Sequence, residues 1–312
     1  MGSFSSGRSI IESSDGNYVS TGYYFGNPYD DTVLRKTSPD GTVLWSRILG
    51  DVNDDRGFSL SQTSDNGYIV TGWSRLDGIN TGRDLLLIKT DSEGNEIWTR
   101  KFDRGDSLRD EGWSVKQTSD GGYIVLGDTH YTQDEVRKDL WLIRTDSEGN
   151  ELWNRTYGGD GLNYGKTVIV TGDGGYQLFG YTTMGYNGVD MWLLKVDQNG
   201  DLIWSQMYGG TGDEYGTSMI VNDLNEIVML GSHFFQVGGN YTHEIILKKT
   251  DDLGQEIWNR VINIENGIRG VSLSPTFDGG HFITGYVNSG TPFRRNLCIV
   301  KTDLNGYVIQ SE

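Results

Sequence analysis

The sequence predicts an all-β fold made of six copies of one four-strand unit, and three observations lead to that prediction. The 312 residues include 45 Gly, 9 Trp and 17 Tyr but only 4 Pro, a composition rich in turn formers and sheet-favouring residues. Each copy holds four short apolar or alternating runs separated by turn residues. Glycine recurs about every fifty residues, at Gly22, Gly72, Gly127, Gly180, Gly231 and Gly285. Four strands at this period predict a six-bladed β-propeller of four-stranded antiparallel blades.

We expect one β-propeller domain over residues 1–312, in which each copy holds a complete four-strand sheet in chain order. The run that starts at Trp113 alternates, which is typical of a strand covered on one face. The run 140–143 is unbroken apolar, which is typical of a strand covered on both faces. The predicted blades span approximately residues 7–54, 55–109, 110–163, 164–213, 214–266 and 267–312.

The first strand of each copy is predicted to lie nearest the propeller axis, because it combines glycine with a small hydroxyl residue and the axis is crowded. Two interpretations of the hydroxyls remain open: they pack with satisfied hydrogen bonds, or they line a ligand channel. The glycines are Gly7, Gly57, Gly112, Gly165, Gly216 and Gly270, and the hydroxyl residues two places later are Ser9, Ser59, Ser114, Thr167, Ser218 and Ser272.

The fourth strand carries tryptophan in five of the six copies, and the turn before it keeps glycine in all six. The indole is predicted to cover the interface between neighbouring blades, since it buries a large area with few rotatable bonds. The turn glycines are predicted to adopt positive φ. The tryptophans are Trp45, Trp98, Trp153, Trp204 and Trp258, with Gln310 in the sixth copy, and the glycines are Gly41, Gly94, Gly149, Gly200, Gly254 and Gly306.

The chain is acidic, with 43 acidic against 26 basic residues and a formal charge of −17. Nucleic acid and anionic membranes are therefore not expected as partners, because both are bound through Lys and Arg. No run of eighteen apolar residues is present, so no membrane insertion is expected. The single cysteine, Cys298, lies in the apolar run 297–300 and is predicted to be a buried structural thiol.

The blade pattern SDGGYIVLG followed by DLWLIRTDSEGNELW resembles the tandem repeats of bacterial and archaeal surface or secreted β-propeller proteins. The strand order with a terminal Trp is similar to blades of the quinoprotein-like superfamily. The resemblance extends from Gly7 to Glu312 and implies the propeller fold. It implies no particular activity, since such repeats occur in proteins with many roles. The chain also has no adjacent-cysteine pair and no quinone-binding or calcium set, so no cofactor is expected, although Ca²⁺ is possible.

The loops that join the second strand to the third share one face of a propeller with the loops between blades, and ligands usually bind there. These loops differ most among the copies and carry aromatic side chains with polar tips, which indicate contact with a partner. A glycan or a protein is the predicted ligand. The other interpretation is that these rings fold back over the blades. The candidate ligand-binding residues are Tyr24, Trp73, His130, Tyr131, Tyr186, His233, Phe234, His243, Phe293 and Arg294.

Acidic residues precede several of the first-strand glycines, at Asp55, Asp110 and Glu214. Carboxylates near an axis could bind Ca²⁺ or act as acid and base on a glycosidic bond. The other interpretation is a local hydrogen bond to backbone amides. Together with Asp134 in a loop, these residues are the candidate catalytic acids. No metal site is predicted, because the four histidines lack zinc spacing.

These observations favour a non-catalytic binding or scaffold module that recognises a glycan or protein through its loop face. We expect it to be monomeric and to lie outside the cell or at the cell surface. One alternative is a hydrolase or lyase acting on polysaccharide, which requires two carboxyl groups roughly 5 to 10 Å apart in a concave pocket. Another is a purely structural spacer or assembly unit.

Overall fold

The computed structural model describes residues 5–26, 29–75, 82–105, 109–131, 137–184, 188–238, 240–264, 267–288 and 295–309. Every helix or strand in these ranges is a β-strand, and turns join the strands. The prediction of an all-β, six-bladed β-propeller of antiparallel blades is confirmed.

The chain divides into two compact units, Met1–Val170 and Thr171–Glu312. The first contains β1 (Ser5–Glu12), β2 (Tyr18–Tyr24), β3 (Asp31–Thr37), β4 (Val43–Leu49), β5 (Asp54–Gln62), β6 (Tyr68–Arg75), β7 (Asp84–Thr90), β8 (Glu96–Phe102), β9 (Asp110–Gln117), β10 (Tyr123–His130), β11 (Lys138–Thr145), β12 (Glu151–Tyr157) and β13 (Asn163–Val170). The second contains β14 (Tyr176–Thr182), β15 (Asp190–Val196), β16 (Leu202–Tyr208), β17 (Asp213–Val221), β18 (Ile227–Val237), β19 (Asn240–Thr250), β20 (Glu256–Ile262), β21 (Ile268–Pro275), β22 (His281–Asn288) and β23 (Arg295–Thr302).

The strands follow chain order within every sheet, as predicted. Five sheets have four strands, and the sixth has β21, β22 and β23 in the described ranges. Residues 308 and 309 pair with the end of β23, because Val308 forms an antiparallel bridge with Thr302 and the Ile309 amide donates to the Lys301 carbonyl at 2.9 Å. Gln310, which takes the place of the repeated tryptophan, lies outside the described residues.

The first strands lie side by side, since β1 contacts β5 and β5 contacts β9, as predicted for innermost strands. Glycine is required there by close approach: a Cβ on Gly112 would lie 2.1 Å from Thr71 Oγ1. The Ser114 hydroxyl accepts a hydrogen bond from the Val168 amide at 3.1 Å. In the second unit the Ser218 hydroxyl accepts one from the Leu273 amide at 3.2 Å. At these two positions the hydroxyls pack with satisfied hydrogen bonds and join neighbouring blades.

The second and third strands form the hydrophobic core of the central blades. Every residue of β10 and β11 is buried, which confirms that the unbroken apolar run 140–143 is covered on both faces. Cys298 in β23 is only partly buried, and it packs beside the core residue Val300. The prediction that Cys298 is a buried thiol is therefore only partly correct.

The repeated tryptophans cover the contact between neighbouring blades, as predicted. The Trp98 ring lies 5.8 Å from the Tyr123 ring at the start of the next blade's second strand. The same indole lies over the next blade's turn glycine, because a Cβ on Gly149 would be 2.8 Å from Trp98 Cη2. In the second unit Trp258 has the same relation to Gly306.

Replacing Gly149 with alanine is expected to destabilise the protein more than replacing Gly121 with alanine. Both glycines belong to blade three and adopt left-handed backbone, with φ of 77° and 87°, so both alanines carry a backbone cost of about 1–2 kcal/mol. The added methyl meets Trp98 only at Gly149, since nothing lies within 4 Å of a Cβ at Gly121. Overpacking should add about 1–3 kcal/mol. Urea unfolding measures both losses, and equal losses would contradict the packing argument.

Candidate functional site

One position in the first strand changes in chemistry from blade to blade while the residues beside it do not. It lies between the repeated glycine and the repeated hydroxyl residue. In blades one, two, three, five and six it falls where the register with the second strand shifts, so the residue forms a β-bulge. A bulge leaves its residue out of the pairing and redirects the side chain. The residues at this position are Arg8, Phe58, Trp113, Lys166, Thr217 and Val271.

In the first unit four of these side chains form one stack, the Trp113 ladder, which consists of Arg8, Phe58, Trp113 and Lys166. The Phe58 and Trp113 rings lie nearly parallel, with centroids 4.8 Å apart and an interplanar angle of 17°. The Arg8 guanidinium carbon lies 5.2 Å from the Phe58 centroid. Lys166 Nζ lies 3.7 Å from the Trp113 centroid. Both rings are partly exposed, so two cations flank an aromatic surface that solvent reaches.

A fully buried carboxylate, Asp128 in β10, holds the central ring of the ladder. Trp113 Nε1 donates a hydrogen bond to Asp128 Oδ2 at 2.8 Å. Lys138 Nζ lies 3.5 Å and His130 Nε2 lies 3.7 Å from the other carboxylate oxygen. Burial by itself would raise the pKa of Asp128, but the charge of Lys138 and the contact with His130 hold that pKa below its ordinary value. The carboxyl is therefore ionised at neutral pH.

Lys166 has a pKa lowered to about 8, chiefly because surrounding protein atoms displace water from its ammonium group. The charges of Lys138 and Arg8 also lower this pKa, while those of Asp128 and Glu111 raise it. Lys166 is still mostly protonated at neutral pH and loses its charge at mildly alkaline pH. A lysine of ordinary pKa would remain charged there.

Trp73, one of the candidate ligand-binding residues, lies in β6 rather than in a loop, and it is only 2% exposed. Its ring lies between two guanidinium groups, 4.9 Å from that of Arg56 and 4.3 Å from that of Arg83. Arg56 forms an ion pair with Asp30, and Arg83 forms one with Glu111. The ring is buried because β6 continues past Gly72, so the indole packs against Arg56 in β5 and against Arg83, which directly precedes β7.

A cavity of about 330 Å³ lies on blade one, next to the ladder. Tyr24, another candidate ligand-binding residue, lines it together with Tyr23, Arg35 and Ile48. The Tyr23 hydroxyl accepts a hydrogen bond from Arg8 at 3.0 Å, which links the cavity wall to the end of the ladder.

The candidate catalytic acids before the first-strand glycines accept hydrogen bonds from backbone amides of the preceding loops. Asp55 Oδ2 accepts from the Asp51 amide at 2.8 Å. Asp110 Oδ2 accepts from the Arg104 amide at 3.1 Å. In the second unit Glu214 Oε2 accepts from the Gly210 amide at 3.3 Å. These contacts agree with the interpretation of local hydrogen bonding. Burial raises the pKa of Asp55 and of Glu214.

His130 and Tyr131 follow one another at the end of β10, but their surroundings differ. His130 is within the strand and 4% exposed, and neither ring nitrogen has a hydrogen-bond partner among the described residues. The prediction that His130 lies in a loop is therefore wrong. The Tyr131 ring is partly exposed between the guanidinium groups of Arg104 and Arg137, at 5.3 and 4.5 Å.

In the second unit four candidate residues meet although they are distant in sequence. Strand pairing places Glu214 opposite His233 and His233 opposite Glu244. His233 Nε2 lies 3.5 Å from Glu214 Oε1, and its Nδ1 lies 3.6 Å from Glu244 Oε2. Phe234 pairs with His243, and their rings are 4.6 Å apart. The prediction that these aromatic and histidine residues lie in a loop is wrong, because β18 and β19 continue to 11 residues each.

His243 has a pKa lowered to about 4, because the ring is desolvated and the Arg269 guanidinium lies 3.2 Å from its Nε2. It is therefore neutral at physiological pH. Glu244 and Arg269 were not among the residues singled out from the sequence. Their positions opposite His233 and beside His243 depend on strand register. Asp134, Tyr186, Phe293 and Arg294 lie outside the described residues.

Among the residues that the structure describes, no three His, Cys, Asp or Glu side chains are grouped as a metal site would require. Asp51, Asn53 and Asp55 share the spacing of a calcium loop, but one oxygen of each carboxylate accepts a local backbone hydrogen bond. Asp51 N donates to Asp55 Oδ2 at 2.8 Å, and Asn53 N donates to Asp51 Oδ1 at 3.0 Å. No helix able to cross a membrane occurs in the described ranges.

No protein-family model and no curated protein matches the chain. Solved structures do resemble it. A luciferin-regenerating enzyme is 10% identical, with a TM-score of 0.51 over 99% of this chain and 96% of that one. The Pan2 WD40 domain of Neurospora crassa is 9% identical, with a TM-score of 0.52 over 96% and 80%. An acylaminoacyl peptidase of Pyrococcus horikoshii is 11% identical, with a TM-score of 0.52 over 100% and 46%. At these identities the similarity shows the propeller fold alone, which an enzyme and a WD40 domain share.

Replacing Lys138 with methionine is expected to destabilise the protein by about 3–5 kcal/mol, because it leaves the Asp128 carboxylate buried without its cation. Burial then raises the pKa of Asp128, and protonation favours the folded state. The loss measured by urea unfolding should therefore be smaller at about pH 5 than at about pH 7.

The matched control is the double variant Lys138→Met, Asp128→Asn, which removes both charges and should recover much of the stability at neutral pH. In the wild type the effect of protonating Asp128 on stability has the opposite sign. The pKa of Asp128 is depressed in the folded state, so its contribution is present above pH 3.8 and is lost as the pH falls through the folded value. A loss in Lys138→Met that does not depend on pH would contradict the pairing.

Proposed function

We propose that the protein is a non-catalytic binding module and that its ligand is a carbohydrate bound on the Trp113 ladder. The observation that carries this proposal is the parallel, partly exposed pair of Phe58 and Trp113 between two cations. Neighbouring side chains of the stack lie over the ring faces, so a sugar would pack its apolar C–H groups against the parts of the two rings that remain exposed. The flanking Arg8 and Lys166 are donors that sugar oxygens accept.

The charge state of the ladder supports binding over catalysis. Cleavage of a glycosidic bond commonly requires a carboxylic acid of raised pKa that donates a proton to the leaving oxygen. Asp128, the carboxyl group that contacts Trp113, has a lowered pKa and is fully buried. It therefore holds no proton to donate at neutral pH. The role we assign to Asp128 is to orient the indole.

The proposal includes the expectations drawn from the repeat pattern. The protein acts outside the cell or at its surface, as a monomer and without a cofactor. The likeness of its blades to surface-protein repeats and to the quinoprotein-like superfamily remains a prediction. The remaining candidate ligand-binding residues that are described and partly exposed, such as Tyr24 and Tyr131, are proposed to contact parts of the ligand beyond the ladder.

Replacing Phe58 with leucine is expected to weaken oligosaccharide binding about tenfold, which corresponds to about 1.4 kcal/mol. Leucine keeps most of the apolar volume but removes the exposed part of the aromatic ring that a sugar would contact, together with the stacking on Trp113. A glycan array identifies a bound oligosaccharide, and titration calorimetry measures its affinity for the wild type and the variant. Phe277→Ala is the control, because Phe277 is a fully exposed aromatic residue in a turn of blade six.

An empty array, or equal binding by the wild type and Phe58→Leu, would contradict the proposal. Release of reducing sugar from the bound polysaccharide would contradict the non-catalytic part. Capture of a protein with no glycan bound would favour the protein ligand that the sequence left open.

A further inference from the structure

We infer that a cavity of about 230 Å³ between blades four and five is a further binding site, and that its ligand is a small organic cation with an ammonium or guanidinium group. All the residues that line this cavity belong to the second unit, so the site is independent of the proposed carbohydrate binding on the ladder. Three features support it: the way in which the cavity forms, a buried polar side chain in its wall, and the charges that line it.

The cavity lies where other neighbouring blades are bridged by a glutamine. Between blades one and two, Gln62 Oε1 accepts a hydrogen bond from the Ser14 amide at 2.8 Å, and blades two and three are bridged in the same way. Counted from the repeated glycines, Gly172 occupies the position of Ser14, and Val221 occupies that of Gln62. Both residues line the cavity. Because the Val221 side chain is shorter and has no acceptor, the bridge is missing and a space remains.

Gln177 in β14 is a polar side chain at a position of the blade core. It is only 3% exposed, it pairs with Lys195 across β14 and β15, and it lines the cavity. Its Oε1 has no hydrogen-bond partner among the residues that the structure describes. A buried acceptor without a donor is destabilising, so a ligand that donates a hydrogen bond is favoured here. The residues at this position in the other blades are all apolar: Val19, Ile69, Ile124, Val228 and Phe282.

The cavity is lined by two carboxylates and one ammonium group, those of Asp173, Asp252 and Lys195. Lys195 Nζ donates to Asp173 Oδ1 at 2.8 Å, and the Thr171 hydroxyl donates to the same oxygen. These two donors hold the pKa of Asp173 well below its ordinary value, so Lys195 and Asp173 balance each other at neutral pH. Asp252 lies exposed on the turn between the third and fourth strands of blade five. The lining therefore carries one carboxylate in excess.

A small organic cation satisfies these features together. An ammonium group has three N–H donors and a guanidinium group has five, so either can donate both to Gln177 and to Asp252. Methylene groups of the ligand can pack against Val221. The cavity is smaller than the pockets of about 300–1,000 Å³ that take drug-sized ligands, which indicates a small molecule. An anion is disfavoured, because Asp252 would repel it and it has no donor for Gln177.

The experiment compares three linear four-carbon molecules that differ in charge: putrescine, butanediol and succinate. Titration calorimetry is done in about 0.1 M salt, which screens long-range attraction between charges. The wild-type protein should bind putrescine at least about tenfold more tightly than butanediol, and it should not bind succinate. Agmatine carries a guanidinium group at one end of the same chain. Tighter binding of agmatine than of putrescine identifies a guanidinium ligand, and the reverse order identifies an ammonium ligand.

Three variants test the lining residues. Asp252→Asn should weaken putrescine binding at least about tenfold, because a charge-assisted hydrogen bond is lost. Gln177→Ile, which introduces the residue of blades two and three, should also weaken binding and should be at least as stable as the wild type in urea. Val221→Gln should rebuild the glutamine bridge, fill the cavity and abolish binding.

Asp223→Asn is the matched control, since Asp223 is an exposed carboxylate of blade five that is not among the lining residues. It should keep the wild-type affinity. Asp252→Asn changes an exposed turn residue, so the test does not depend on how the two interior variants fold.

The inference is overturned if putrescine and butanediol bind equally, if Gln177→Ile and Val221→Gln both keep the wild-type affinity, or if Asp223→Asn weakens binding as much as Asp252→Asn. None of these outcomes bears on the ladder, whose ligand is tested by Phe58→Leu. Failure of this site and failure of the proposed carbohydrate binding are therefore distinguishable.

Discussion

The structure depends on neighbouring blades approaching each other so closely that no Cβ fits at the contact. A Cβ on Gly112 would overlap Thr71, and a Cβ on Gly149 would overlap the Trp98 indole. The contact at Gly112 brings the innermost strands together. The contact at Gly149 lies at the outer edge of the same interface between blades. Because interiors are packed to the density of organic crystals, these positions tolerate little change from copy to copy. The repeated glycines and tryptophans of the sequence are therefore a packing requirement.

The packing between blades does not restrict the residue at the bulge position, and the side chain there differs from blade to blade. A residue left out of strand pairing can project its side chain without disturbing the contact between blades. In the first unit the result is a stack of two cations and two aromatic rings drawn from four different blades. In the first unit this position thus adds one side chain from each of four blades to a repeated framework. The variable loops are not the only places where the copies differ.

The buried pair of Asp128 and Lys138 gives the ladder a fixed orientation. An ionised carboxylate inside the blade needs a cation nearby, and the same carboxylate holds the Trp113 indole by a hydrogen bond. Asp128 therefore links the buried ion pair to the orientation of the exposed aromatic ring. In the second unit the row of Glu214, His233 and Glu244 forms in another way, by the lengthening of β18 and β19.

The number of blades, the strand order and the roles of glycine and tryptophan could be predicted from the sequence. Alternation, turn chemistry and a period of about fifty residues are signals that the sequence contains directly. The site was readable only in part. Trp73 and His130 were expected in loops and are buried in strands, since nothing local indicates how far a strand continues. The ladder was missed, although variation beside an invariant glycine is a signal that could have revealed it. Its residues are about fifty positions apart, and strand register, bulge geometry and blade packing decide that they touch.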